Sequence, residues 1–271
     1  MDLSKRVAVI TGGASGIGRA VAMALAKREV AGVALVDMSE AVEDVAAKLN
    51  AEVGRTFAIP FQGDTTDERF RASVFDAIGR KYGPVSLCVP AAGITRDELA
   101  VRIDKQTGKA RIYPLEQFKL VVDVNLIAPI YWALEMIGRI AEDRAAAGLK
   151  RWTPDETMQG SVVFIGSISS QGNRGQISYA STKAGLEGAA ATIMKEAMVH
   201  GVRCGVIHPG FTDTPMVRAM GVDYVAKNIL PYTQLGRLIA PEEIADAICF
   251  MLTNSAVSGE LWVDAGWHAP A

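Results

Sequence analysis

The chain has 271 residues, 49% hydrophobic and 21% charged, with a formal net charge of −2. That is ordinary globular composition with enough length for a large core, and it offers no basic surface for nucleic acid. The apolar run after Lys5-Arg6 is broken at Thr11-Gly12-Gly13, too short for a signal peptide, and no run of about 18 apolar residues predicts a membrane span.

Short apolar runs alternate with longer helical patterns along the chain. A strand at Val7–Ile10 leads into a helix at Ile17–Arg28, and a strand at Val33–Val36 into a helix at Ala41–Val53. Strands at Thr56–Phe61 and Leu87–Val89 bracket a helix at Asp67–Tyr82. A long helix at Leu115–Arg144 precedes a strand at Val162–Ile165. A helix at Tyr179–His200, a strand at Arg203–Ile207, a helix at Pro241–Leu252 and a strand at Leu261–Val263 complete the series. Nearly all-apolar strands suit a sheet buried on both faces. The pattern predicts one doubly wound, Rossmann-type α/β domain over residues 1–271, with a parallel sheet of about seven strands flanked by helices. Two segments read as surface additions. Residues 100–114 form a polar hairpin turning at Thr107-Gly108, and residues 143–160 a long polar connection.

The first strand opens directly into Thr11-Gly12-Gly13-Ala14-Ser15-Gly16-Ile17-Gly18. Glycine permits a tight turn and a close backbone approach, and the following helix N-terminus favours an anion. The turn therefore predicts a pyrophosphate seat built on Gly12, Ser15, Gly16, Ile17 and Gly18. Asp37 ends the second strand, where a carboxylate would accept bonds from ribose hydroxyls and repel a 2′-phosphate. That favours NAD over NADP.

Tyr179 and Lys183 stand four apart on a predicted helix and so share a face. An ammonium beside a phenol favours the phenolate. Bringing a tyrosine from its usual pKa of about 10 toward neutrality takes roughly 4 kcal/mol. Such a phenol would exchange a proton with an alcohol.

Cys88, Cys204 and Cys249 are far apart and embedded in apolar patterns, so they read as reduced core thiols in a cytoplasmic protein. His200, His208 and His268 lack metal-ligand spacing to one another or to a cysteine, and no metal is expected. Residues 212–238 read as a lid. Within it Met216, Met220, Val222, Tyr224, Ile229, Leu230 and Tyr232 offer apolar surface to a hydrophobic or aromatic substrate.

Together these motifs resemble the short-chain dehydrogenase/reductase family over nearly the whole chain. The resemblance implies further residues. Asp64 would hold the adenine amino group, and Thr65 would lie along the adenosine. Ala91-Ala92-Gly93-Ile94-Thr95-Arg96-Asp97 is similar to the segment after the fourth strand of 3-oxoacyl-carrier-protein reductases, with Ala92 and Gly93 at the cofactor. Asn125, Ser167, Tyr179 and Lys183 match the catalytic tetrad, with Asn125 anchoring a water that leads from Lys183 to solvent. Pro209, Gly210, Thr212 and Thr214 match the turn at the nicotinamide.

The sequence departs from the family pattern twice. Pro90-Ala91 replaces two asparagines, which leaves backbone carbonyls and packing to meet the adenosine. The gap from Ser167 to Tyr179 is one residue short, so strict counting lands on Gly166, and Ser169 is the alternative serine.

The implied activity is NAD-dependent hydride transfer between a secondary alcohol and its ketone. A 3-oxoacyl thioester reductase or 3-hydroxyacyl dehydrogenase is the alternative enzyme, and an NAD-binding regulatory protein the non-catalytic one. Small residues along the Tyr179 helix, including Ala184, Gly185, Gly188 and Ala189, would let two copies approach closely. A homotetramer is expected, with a dimer next.

Overall fold

The computed structural model describes residues 1–267, so His268 lies outside them. Nine strands form: β1 (Val7–Thr11), β2 (Gly32–Asp37), β3 (Ala58–Gln62), β4 (Val85–Pro90), β5 (Val101–Ile103), β6 (Ala110–Ile112), β7 (Gly160–Ile165), β8 (Val202–Pro209) and β9 (Gly259–Val263). Seven build one parallel sheet in the order β3-β2-β1-β4-β7-β8-β9. The helices are α1 (Gly16–Ala26), α2 (Ala41–Val53), α3 (Glu68–Tyr82), α4 (Leu115–Val122), α5 (Ala128–Ala146), α6 (Ile177–Glu196), α7 (Pro215–Arg218), α8 (Val222–Asn228) and α9 (Pro241–Thr253).

Successive side chains of a strand point to opposite faces, and β1 shows the consequence. Ala8 and Ile10 join one core with Val21 and Leu25 of α1 and Ile244 and Ile248 of α9. Val7 and Val9 join the other, with Phe75 of α3, Trp132 and Met136 of α5 and Leu186 of α6. Both faces are covered, so the strands are apolar throughout. The order of strands along the sheet reverses between β1 and β4, and a crevice opens there at the strands' C-terminal ends.

Most element boundaries fall within two residues of expectation. Asn50 Oδ1 accepts the N–H groups of both Phe57 and Ala58, which sets the start of β3 later than Thr56. The hairpin at 100–114 is present as β5 and β6, antiparallel and exposed on every residue. Tyr113 pins its base through its hydroxyl, which donates to the Arg96 carbonyl at 2.6 Å and lies 2.9 Å from Ser178 Oγ. The connection after α5 is tied down by Arg144, whose guanidinium donates twice to the Glu156 carboxylate.

The long helix differs from a plain α-helix. Leu115–Ala146 is continuous but contains a π turn at Asp123–Ile127, centred on Asn125. It is also long and apolar enough, by composition, to cross a membrane. Its Val121, Trp132, Ala133, Met136 and Ile140 are buried inside the protein, where Trp132 Nε1 donates to the Thr65 carbonyl.

The C-terminal end of α9 is held by an unusual partner. Buried Arg203 of β8 donates to the carbonyls of Met251, Leu252, Asn254 and Val257, at 2.8–3.0 Å. Those carbonyls have no continuing helix to bond. Replacing Arg203 with methionine should leave the Met251 and Leu252 carbonyls desolvated without the donors it supplies, and cost about 3 kcal/mol or more. A denaturant melt tests this. A lowered midpoint with an unchanged slope is expected, and an unshifted midpoint would contradict it.

Candidate active site

Two adjoining clefts sit at the C-terminal ends of β1, β4, β7 and β8. The larger is lined by Gly12, Ser15, Gly16, Ile17, Gly18, Asp37, Thr65, Ala92, Gly93, Tyr179, Lys183 and Thr214. The smaller is lined by Ser167, Ser169, Tyr179, Pro209, Gly210, Thr212 and Thr214, among others. Ile17, Ile165, Tyr179, Thr214 and Met216 belong to both. Tyr179 therefore stands where the two spaces meet.

The glycine turn is built by close backbone contact. Gly12 has φ +68°, and a methyl there would lie 2.8 Å from the Ala92 nitrogen. A methyl on Gly18 would lie 2.3 Å from the Gly12 carbonyl oxygen. Ser15 begins α1 in an extended conformation, and its hydroxyl makes no cap bond. Such a cradle at a helix N-terminus fits a pyrophosphate.

Asp37 Oδ2 accepts the Ala14 N–H and Oδ1 accepts the Ser39 N–H, each at 3.0 Å. An ionised carboxylate has about four acceptor sites, so capacity remains for ribose hydroxyls. The Pro90-Ala91 departure leaves the turn intact, because Ala91 N–H donates to the Thr11 carbonyl and Ala92 N–H to Thr11 Oγ1, both at 3.1 Å. Asp64 is not among the residues lining the larger cleft. Its side chain is exposed, and Oδ1 is occupied by the Thr66 N–H and hydroxyl at 2.8 Å each. Its neighbour Thr65 is the residue that lines the cleft.

The Ser167 hydroxyl is hydrogen-bonded to the Tyr179 phenol and accepts the Ser169 N–H at 3.0 Å. Ser169 Oγ turns instead to Gln176 Oε1 at 2.8 Å. Between the two serines, geometry selects Ser167. Gly166 occupies the position given by strict counting because the His208 ring fills the space a side chain would need.

The expected lowering of the phenol pKa by Lys183 does not occur in this structure. Burial pushes Tyr179 up to about 12; the Ser167 bond works against the rise and the Asp97 carboxylate adds to it. Lys183 Nζ lies 5.5 Å from the phenol ring centroid and donates to the Ile165 carbonyl at 2.7 Å. Burial pushes its own pKa down to about 8. The ammonium is turned to the Ile165 carbonyl, and burial sets the phenol's direction.

Asn125 is fully buried. Its Oδ1 accepts the Ile94 N–H at 2.9 Å and its Nδ2 donates to the Ile94 carbonyl at 2.8 Å. The side chain thus clamps the Ile94 backbone next to Gly93.

Thr212 is buried and donates to the Gly210 carbonyl at 3.1 Å, while Thr214 caps α7. Gly210 passes so close to Asp264 that a methyl would sit 2.7 Å from its Cα. Of the seven apolar lid residues named, Met216 and Met220 line the smaller cleft, with Val217 beside them. Ile229 is buried, and Val222, Tyr224 and Tyr232 are exposed. Sequence reasoning assigned no role to Asp97, Asn173 or Gln176. Gln176 donates to Asp97 Oδ2 at 2.8 Å and accepts from Ser169 and Asn173, forming a polar wall opposite the methionines. These residues come from loops without a periodic pattern, so their convergence has no signal in the sequence.

The short chain dehydrogenase family model matches residues 6–224. The chain belongs to this family. Among relatives of this short-chain dehydrogenase, 3-oxoacyl-acyl-carrier-protein reductase FabG of Escherichia coli (strain K12) is 30% identical, with 99% of each chain covered. Cis-4-hydroxycyclohexanecarboxylate dehydrogenase of Sinomonas cyclohexanicum is 31% identical, with 98% of each covered. A crystal structure of a short-chain type dehydrogenase/reductase from Mycobacterium marinum superposes with a TM-score of 0.82 at 25% identity, covering 99% of this chain and 98% of that one. The chain is thus an oxidoreductase of the short-chain dehydrogenase family with a Rossmann-type fold, a family that binds nicotinamide cofactors.

Proposed function

We propose that this short-chain dehydrogenase uses NAD to move a hydride between a secondary alcohol and its ketone. The observation that carries the reading is the Ser167–Tyr179 hydroxyl pair at the junction of the two clefts, with buried Lys183 in the larger one. The glycine cradle fits the dinucleotide's phosphates, and the Asp37 carboxylate at the far end of the cleft supports NAD over NADP. A bound nicotinamide would supply the hydride acceptor or donor.

The chain's own groups manage position and the proton. Tyr179 takes the alcohol proton in oxidation and returns it in reduction. Ser167 donates to the substrate oxygen as charge develops there. Lys183 supports the phenolate once it forms and holds ribose hydroxyls. Asn125 positions Gly93 through Ile94. Met216 and Met220 face the polar wall of Asp97 and Gln176 across the smaller cleft, an arrangement suited to a compact substrate with one apolar side. The relative named for a hydroxycyclohexanecarboxylate supports a ring alcohol.

The relatives named as 3-oxoacyl-acyl-carrier-protein reductase, and the one from Mus musculus named (3R)-3-hydroxyacyl-CoA dehydrogenase, favour 3-hydroxyacyl thioesters as a second reading. A homotetramer in the cytoplasm belongs to the same proposal. Exposed Ile127, Tyr131 and Leu134 along the long helix support self-association, and three buried free cysteines support a reducing compartment.

Steady-state kinetics with both dinucleotides, against cyclic and aromatic alcohols and 3-hydroxyacyl thioesters, test the proposal. NAD is expected to exceed NADP about ten-fold or more in kcat/KM, and Asp37→Ser to shrink that ratio about ten-fold. A native preference for NADP would refute the role of Asp37. Faster turnover of the thioesters than of any ring alcohol would install the second reading.

A further inference from the structure

His208 lies on β8 directly behind the serine loop and is fully buried. Its ring stacks on Trp262 of β9, with centroids 4.2 Å apart and planes 12° apart. Nδ1 accepts the Ser167 N–H at 3.3 Å and lies 3.2 Å from the Ser167 carbonyl and 3.3 Å from Ser170 Oγ. Ser170 already gives its proton to the Ser167 carbonyl at 2.8 Å, so toward the ring its oxygen is an acceptor. Nδ1 thus has its partners within the serine loop, and Nε2, across the ring, is turned away from them.

Nε2 has no hydrogen-bond partner among the described residues. It points at two carboxylates, Glu260 Oε2 at 3.4 Å and Glu187 Oε1 at 3.8 Å. All three ligand atoms lie within 4.8 Å of one another. A cation held between Nε2 and the two carboxylates would satisfy all three ligand atoms at once. Bond lengths of about 2.0–2.1 Å in a tetrahedral zinc site put neighbouring ligand atoms about 3.4 Å apart, close to the spacing found here.

We propose that Glu187, His208 and Glu260 form a zinc site that joins α6, β8 and β9. The ligands arrive from three elements, which is why spacing along the chain hides them. Glu187 and Glu260 are partly exposed, leaving room for water in the fourth position. The ion would be structural. It would fix the His208 ring, and through Nδ1 the backbone of Ser167.

The test uses untagged protein stripped with chelator and titrated with zinc ion by calorimetry, with cobalt(II) as an absorbance probe. The expected result is one zinc per chain at micromolar affinity or better, and intense tetrahedral cobalt bands between about 500 and 700 nm. Thermal unfolding should move up on zinc addition. Glu187→Gln and Glu260→Gln change only partly exposed side chains, and each should weaken zinc about ten-fold or more. Two results would overturn the site: no saturable binding up to about 1 mM zinc, or binding that the double glutamine variant leaves unchanged. The first would assign the cluster to a proton on Nε2 instead.

Discussion

Tyr179→Phe is expected to lower kcat by about 10³-fold or more while changing the dinucleotide Kd less than about three-fold. Phenylalanine keeps the ring in the seam between the clefts and removes only the hydroxyl. Ser167 Oγ still accepts the Ser169 N–H, so no buried polar group is orphaned and the fold should hold. The phenol pKa of about 12 sharpens the expectation, because a buried tyrosine that resists ionisation can shed its proton only where the site stabilises the charge. Rapid-mixing kinetics and fluorescence titration of the reduced dinucleotide measure the two quantities separately. Turnover above about a tenth of the native rate would remove Tyr179 from the proton path. An inert native protein that still binds NAD would point to the regulatory reading.

Gly18→Ala should abolish dinucleotide binding, by about 100-fold or more in Kd. The added methyl would collide with the Gly12 carbonyl oxygen at 2.3 Å and its carbon at 2.8 Å. Both are backbone atoms that no side-chain rotation can clear. The turn must open or the first residues of α1 must move, and either displaces the N–H groups that would face a phosphate. The sheet core below contains no atom of this contact, so circular dichroism should be native-like. Native affinity in this variant would mean that the phosphates lie elsewhere.

All seven sheet strands and the six long helices were legible because burial on both faces leaves apolar runs bounded by polar turns. The hairpin was legible from Thr107-Gly108. In the site, the glycine turn and Asp37 sit at a strand end, where position follows directly from topology. What could not be read depends on distant elements or on competition between partners. The π turn at Asn125 has no breaker residue to announce it. The helical spacing of Tyr179 and Lys183 is present, yet the Ile165 carbonyl competes for the ammonium and burial dominates the phenol. Asp64 stands at the expected place in the chain, with one carboxylate oxygen tied to Thr66 two residues on.

The strand order has a consequence for synthesis. β2 docks on β1 and β3 on β2; β4 then takes the other side of β1, and β7, β8 and β9 follow outward in turn. Each strand leaving the ribosome therefore meets an open edge, and none has to be threaded between two neighbours already in place. Such a sheet can accrete vectorially, with β1 to β4 aligned before α5, α6 and α9 arrive to cover their faces.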